Sequence, residues 1–421
     1  MCRGKVSRVW SVLLAAAATA ATVGLPSVTP LAFAAATGAR LRLPSSLSSV
    51  SCVATGWCAA VGHGPSGNPG GPGTLAERWN GRDWMVQRTQ EPRRAWSSEL
   101  AAVSCTSSRA CVAVGDYAFA RGAGSRECPC SARAIAEVWN GENWQLMPVP
   151  LPALASQDSS LSGVSCATAR FCVAVGGYAY GSGCTNFYGL GPCNQQTMIV
   201  RWNGRHWQEL PGPAGAGGLS AVSCSSSRSC IAVGGGGCYV SGGGSFCSGS
   251  GFAPAEHWDG RRWSLQATPT VSVGMPPQLV GVSCGSLFAC TAVGTYAQQQ
   301  SQTPAPLAEG WNGTSWAVEP TPADPSAGQS TLASVSCTSP RACTAVGGMP
   351  NPGTTLVQRW DGATWTVQPS PNPPNTETNV LNSVSCTSAV RCIAVGTSTY
   401  PDIASLAEAW NGTRWRIQRT P

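Results

Sequence analysis

Paired cysteines carry the clearest chemistry in this chain. Seven times, two cysteines stand with five residues between them: Cys52 and Cys58, Cys105 and Cys111, Cys166 and Cys172, Cys224 and Cys230, Cys284 and Cys290, Cys337 and Cys343, Cys386 and Cys392. An even number of thiols in a chain with an export signal reads as disulfides, one inside each pair. Of the 21 cysteines, Cys2 falls in the leader and fourteen make these pairs. The remaining six form local pairs, Cys128 with Cys130, Cys184 with Cys193 and Cys238 with Cys247, whose bonding the spacing leaves open. Zinc is the competing chemistry, but C-x5-C is not a zinc spacing. The only histidines, His63, His206 and His257, are not placed as a ligand pair. No metal and no cofactor is therefore assigned.

The acids give less. Glycoside hydrolysis needs two carboxylates facing one cleft. The recurrent acid is the Glu of A-E-x-W, at Glu77, Glu137, Glu256, Glu309 and Glu408. It returns at one strand position, so it reads as a structural partner for Arg or for backbone groups. There is no Ser-His-Asp constellation, phosphate loop or dinucleotide fingerprint, and the glycines lie outside the strand–helix context such motifs need. No catalytic residue is assigned. Aromatic rings are the stronger candidates. All seven tyrosines follow the second cysteine segment of a repeat, within one class of variable loop. The candidate binding residues are Tyr117, Phe119, Tyr178, Tyr180, Phe187, Tyr188, Tyr239 and Phe246. They sit on the longest Gly-rich loops, those that also hold the extra cysteines. Rings on stapled loops supply contact area at low entropy cost and suit a neutral glycan or a peptide. The alternative is that they only cover the mouth of the fold.

The elements that must position these residues repeat with a period averaging about 56 residues. Each copy reads L-x-x-V-S-C-x5-C-x-A-V-G, then a variable stretch, then W-[ND]-G-x-x-W. In the second copy, 100–105 and 111–115 read as two strands closed by a turn, so the bridge staples a hairpin mouth. Closing so short a loop is worth about 2 kcal/mol in the chain-entropy account. Residues 134–139 and 144–149 read as a third and fourth strand around Asn140-Gly141, a hairpin signal in which both residues tolerate positive φ. The fourteen Trp flanking these turns read as packing between adjacent units, with sugar stacking as the alternative. Four antiparallel strands, seven copies and no amphipathic helix predict an all-β fold, a seven-bladed β-propeller. A right-handed β-solenoid competes, but its coils are shorter and lack Asn-Gly hairpins. Two connections per copy vary, from strand two to three and from strand four to the next blade, which marks one face as the working face.

The layout resembles the kelch and galactose-oxidase-type propellers. A strand ends in Gly-Gly (Gly176-Gly177, Gly234-Gly235, Gly347-Gly348), a later aromatic follows, and a Trp opens the fourth strand. The C-x5-C staple and the W-N-G-x-x-W hairpin depart from kelch and look more like secreted repeat proteins of high-GC actinobacteria. That resemblance implies a propeller in an extracellular setting and implies no activity. A copper oxidase would need two His near Tyr ligands, whereas His206 lies in a fixed hairpin and His257 beside Trp258.

Residues 1–34 read as a signal peptide, with Arg3, Lys5 and Arg8 before an Ala-rich apolar stretch and a small-x-small site at Ala32-Phe33-Ala34. Residues 35–46 read as an N-terminal extension and 47–421 as the propeller. Cleavage removes three of 26 basic residues and no acids, so the charge becomes 23 − 19 = +4. With 11% charged residues and no basic run, a nucleic-acid partner is excluded. No further stretch could span a bilayer, so membrane insertion after cleavage is not expected. The expectation is a secreted monomer that binds a glycan or protein ligand of the cell envelope, with a propeller glycoside hydrolase or lyase, or a purely structural envelope scaffold, as the alternatives.

Overall fold

The structure is a computed structural model. It describes residues 44–421 apart from 66–70, 120–130, 154, 156–157, 181–193, 214–216, 236–237, 242–243, 248–254, 270, 272–276, 298–303, 323–328, 351 and 400–401. Seven four-stranded antiparallel sheets follow one another along the chain, each in the order first–second–third–fourth strand. In blade 1 the strands are Ser46–Ala54, Trp57–Gly64, Gly73–Trp79 and Trp84–Gln87. Blade 2 comprises Ser97–Ser107, Ala110–Phe119, Ser131–Trp139 and Trp144–Met147. The later blades run over 159–209, 219–266, 278–318, 331–368 and 378–418. First strands of neighbouring blades meet around the axis, including those of blades 7 and 1. There is no helix among the described residues. The fold is a seven-bladed β-propeller, and no strand is exchanged to close it.

Each disulfide expected inside a repeat is present, and each joins directly opposed residues of the first and second strands. Seven such bridges fit an oxidising compartment. Each staples its hairpin beside the turn, as the spacing suggests, and its burial adds a feature that the spacing does not show. The first cysteine of each pair is half-buried, but the second, at Cys58, Cys111, Cys172, Cys230, Cys290, Cys343 and Cys392, is buried. Each of these seven belongs to an apolar cluster, Cys58 beside Leu47 and Val50, for example, and Cys111 beside Val103 and Trp144. The reason is topological. The second strand runs inside its sheet, and its face is covered by the neighbouring blade. The second sulfurs are core atoms, so the cysteines are structural.

The bridged Cα atoms are 3.9–4.0 Å apart, the close spacing of a pair that exchanges no hydrogen bonds. The amide of the first Cys therefore points away from its own hairpin, and on the innermost strand it would be left without an acceptor. The Ser of V-S-C supplies one from the preceding blade. Cys105 N–H donates to Ser51 Oγ, and the same bond joins Cys166 to Ser104, Cys224 to Ser165, Cys284 to Ser223, Cys337 to Ser283 and Cys386 to Ser336. Cys52 to Ser385 completes the circle, and all seven measure 2.9–3.0 Å. The ring thus closes through the same contact that joins every other pair of blades.

The core consists of seven seams, one between each pair of neighbouring blades. The cluster between blades 1 and 2 contains Ala59, Val61 and Ala76 from one side and Leu100, Val103, Ala113, Ile135 and Trp144 from the other. The Trp that opens each fourth strand is buried in all seven blades. Trp144 Nε1 donates to Gln87 Oε1 of blade 1, and Trp84 Nε1 to Gln418 Oε1 of blade 7. These rings are inter-blade packing.

The fixed turns differ from the sequence expectation in one respect. Trp139 pairs with Trp144 around a four-residue loop, and only its Gly has positive φ, as in all seven copies. The Asn or Asp is selected for its side chain instead. Asn140 Oδ1 accepts the amides of Glu142 and Asn143, and Asp259 and Asp361 do the same in their turns. Those two amide donors also hold the Asp259 and Asp361 carboxyls below the usual range.

The Gly ending A-V-G has a separate cause. The first and second strands slip register beside it, and a Cβ on Gly115 would lie 2.0 Å from the carbonyl oxygen of Glu99. Equivalent clashes arise at Gly62, Gly176, Gly234, Gly294, Gly347 and Gly396. Gly115→Ala must move backbone, so we expect a loss of about 1–3 kcal/mol. Urea unfolding monitored by Trp fluorescence checks this; a neutral substitution would show that the close approach is absent.

Candidate binding face

The two fixed turns of each blade, between strands one and two and strands three and four, lie at one face. The opposite face carries the variable connections. Two groups of side chains assemble there around blades 1 to 3, and the repeat explains why they are unusual.

The first group is titratable. The residue before the conserved Leu and the residue after the conserved Gly are cross-strand partners in every blade whose register is described at that point. In blade 1 they are Ser46 and His63, in blade 2 Glu99 and Asp116, and in blade 5 Gln278 and Thr295. Only blade 2 places two carboxylates directly opposite each other, an arrangement that costs stability. Burial pushes the Asp116 carboxyl up to about 7, with Glu99 beside it adding a smaller upward push. His63 reaches over from blade 1, its Nδ1 3.7 Å from Glu99 Oε2. That nitrogen is buried and makes no hydrogen bond among the described residues. Near neutrality Asp116 is poised between acid and base beside a second carboxylate, which suits proton sharing with a ligand hydroxyl. No cluster of metal-ligand geometry occurs among the described residues.

The second group is a cavity of about 270 Å³ on the same face of blade 2. Tyr117 and Arg133, directly opposed on the second and third strands, form one wall. Leu146, Pro148, Pro150 and Leu151 form another, and Ser159 of blade 3 borders it. Leu146 and Leu151 are exposed, so the wall is apolar and open to solvent. Proline fixes φ in this segment, which makes the wall stiff.

Among the aromatic residues named from the sequence, Tyr117 is half-buried against the seam of blades 1 and 2 and lines this cavity. Tyr178 is half-buried against the seam of blades 2 and 3. Tyr239 is opposed to Phe246, and Cys238 to Cys247, in the backbone register of a two-stranded hairpin within the blade 4 loop. The backbones of Phe119 and Tyr180 end second strands. Phe187 and Tyr188, with Cys128, Cys130, Cys184 and Cys193, lie outside the described residues. The aromatic loops of blades 2 to 4 thus lie in large part outside the described residues.

The recurrent Glu residues lie away from this face, buried in the seams. Two of them bond groups of the preceding inter-blade linker: Glu137 Oε2 accepts from Gln90 N–H, and Glu408 Oε2 from Ser370 Oγ. No Arg pairs with them among the described residues. Sequence reasoning missed Glu99 and Asp116 because it followed what recurs. Aligning the seven copies column by column would have exposed both as departures.

No known family model matches this chain, and no curated protein matches it in sequence. Solved structures resemble it in fold. A GH74 xyloglucanase from Xanthomonas campestris superposes with a TM-score of 0.52 at 12% identity, covering 90% of this chain and 55% of that one. This chain thus spans about half the length of that enzyme. YCF48 from Cyanidioschyzon merolae gives a TM-score of 0.45 at 14% identity over 85% and 94% of the two chains. A fucose-specific lectin from Aleuria aurantia gives 0.43 at 11% identity over 89% and 95%. The fold defines the class, a seven-bladed propeller with a cysteine pair and a Trp pair in each blade. No helix among the described residues is long and apolar enough to cross a membrane.

Proposed function

We propose that this chain is a secreted, non-catalytic binding propeller that takes a neutral glycan or a peptide of the cell envelope on its variable face. The observation carrying this reading is the cavity at Tyr117, an aromatic ring and a stiff apolar wall with a few polar groups at its rim. The bridges support export, and the neutral polar surface fits a ligand not steered by charge. Tyr117→Ala should reduce retention on isolated cell envelopes, or signal on a glycan array, at least tenfold. Because Tyr117 also packs on a seam, Tyr117→Phe serves as a control that keeps the ring and the fold. Normal binding by the folded Ala variant would overturn the reading.

A propeller hydrolase or lyase is the second reading, and the opposed carboxylates Glu99 and Asp116 favour it. In that case Asp116→Asn would abolish turnover of an envelope polysaccharide while leaving its binding intact.

A further inference from the structure

We propose that the seam between blades 7 and 1 holds a second binding site, on the face opposite Tyr117, for a single sugar ring bearing a carboxylate. A cavity of about 350 Å³ opens there, bordered by Thr55, Trp79 and Gly81 of blade 1 and by Thr387, Arg391 and Asn411 of blade 7.

Two departures from the repeat make this seam unlike the others. In blades 2 to 7, a side chain from the turn between the first two strands lies against the glycine of the Asn-Gly or Asp-Gly turn. The residues are Arg109, Arg170, Arg228, Phe288, Arg341 and Val390. Blade 1 has Gly56 instead, and a Cβ built there meets nothing within 4 Å. Gly81, on the cavity wall, is left uncovered by any such side chain. The second departure is Arg391, exposed at the first residue of its strand. The other blades carry Trp57, Ala110, Phe171, Ser229, Ala289 and Ala342 at that position. One copy has lost a cover and its neighbour has gained a cation, both at the same cavity.

The lining fits a sugar acid. Trp79 is half-buried, as are Trp311 and Trp360 at its position, and its ring offers a stacking face. No carboxylate lines the cavity, so the Arg391 guanidinium is its one formal charge and suits a carboxylate. The hydroxyls of Thr55 and Thr387 and the Nδ2 of Asn411 make no side-chain hydrogen bond among the described residues, which leaves them for ring hydroxyls. A cavity of this size sits at the small end of ligand sites, enough for one ring and not for a chain. Its walls are sheet faces and turns, so a peptide strand finds no free edge to pair with.

The test is ligand-observed saturation-transfer NMR on the full chain with glucuronic acid, glucose and acetate as probes. Glucuronic acid should show transfer at millimolar concentration, with glucose and acetate at least tenfold weaker. Arg391→Ala should weaken glucuronic acid at least tenfold. Gly56→Arg restores the residue of four other blades at a position without positive φ, so it should remove binding at unchanged thermal stability. Tyr117→Ala should leave the signal unchanged, which separates this site from the variable face. Four results would overturn the proposal: no transfer, acetate equal to glucuronic acid, preference for a peptide C-terminal carboxylate, or binding that survives Gly56→Arg.

Discussion

The melting temperature should fall as pH rises from 5 to 8, the reverse of what buried salt bridges would give. Five glutamates, Glu77, Glu137, Glu256, Glu309 and Glu408, are buried in the seams, and burial raises each carboxyl from 4.5 to about 7. Below pH 4.5 each is protonated in both the folded and unfolded states and has no effect on the balance. Between 4.5 and 7 the unfolded chain releases these protons while the folded chain retains them, so stability falls. Above 7 both states are ionised and the loss levels off. Each 1.4 kcal/mol corresponds to one pKa unit, so a single Glu costs on the order of 3 kcal/mol at pH 8. Bonds to Gln90 and Ser370 pull Glu137 and Glu408 back toward ionisation, whereas neither oxygen of Glu256 or Glu309 has a hydrogen-bond partner among the described residues. Glu309→Gln should therefore raise the melting temperature at pH 8, leave it unchanged at pH 4.5, and flatten the pH profile. Blade 6 already carries this solution in Gln358, whose Nε2 donates to the Pro322 carbonyl. A melting temperature that climbs steadily from pH 5 to 8 would show that the carboxyls are hydrated or paired.

Removing one seam tryptophan should have a comparable effect. Trp144 is 1% exposed, its ring lies 5.6 Å from Trp139, and its Nε1 crosses to Gln87 of the preceding blade. Trp144→Ala should cost about 3–5 kcal/mol, the range for deleting a buried indole. Trp207 provides an internal control, since it is also buried but its Nε1 has no partner among the described residues. The Phe substitution at 144 should exceed that at 207 by about 1 kcal/mol, the net worth of one hydrogen bond. Urea midpoints of the variants read both quantities. A cost below about 1 kcal/mol for Trp144→Ala would mean that the seams are not the core.

The ring, the blade count and the seven bridges were legible in the sequence because each follows from a feature repeated seven times. What the sequence hid lies between copies. The spacing of Cys105 and Cys111 shows a stapled hairpin, but the burial of Cys111 comes from the blade packed against it. Ser51 looks like filler in V-S-C until its hydroxyl is seen to accept an amide from Cys105, in the next blade. The recurrent Glu suggests an Arg partner, but its place in a seam puts it against a linker amide instead. Asn140 suggests a backbone role, but the Gly alone takes positive φ and the Asn acts through its side chain. On the proposed binding face, Tyr117 was named from type and loop position. Glu99 and Asp116 were not, because they stand 17 positions apart and only strand register sets them opposite each other.

Hydrogen–deuterium exchange of the protein, with and without isolated cell-envelope material, tests the binding reading most directly. Protection should appear in the peptides that contain Tyr117, Arg133 and Pro148–Leu151, on the variable face of blade 2. The fixed turns of blades 3 to 6, such as 203–206 and 259–262, should exchange at the same rate in both samples. Protection confined to the fixed turns, or none at all in peptides that include Tyr117, would contradict a variable-face binding propeller.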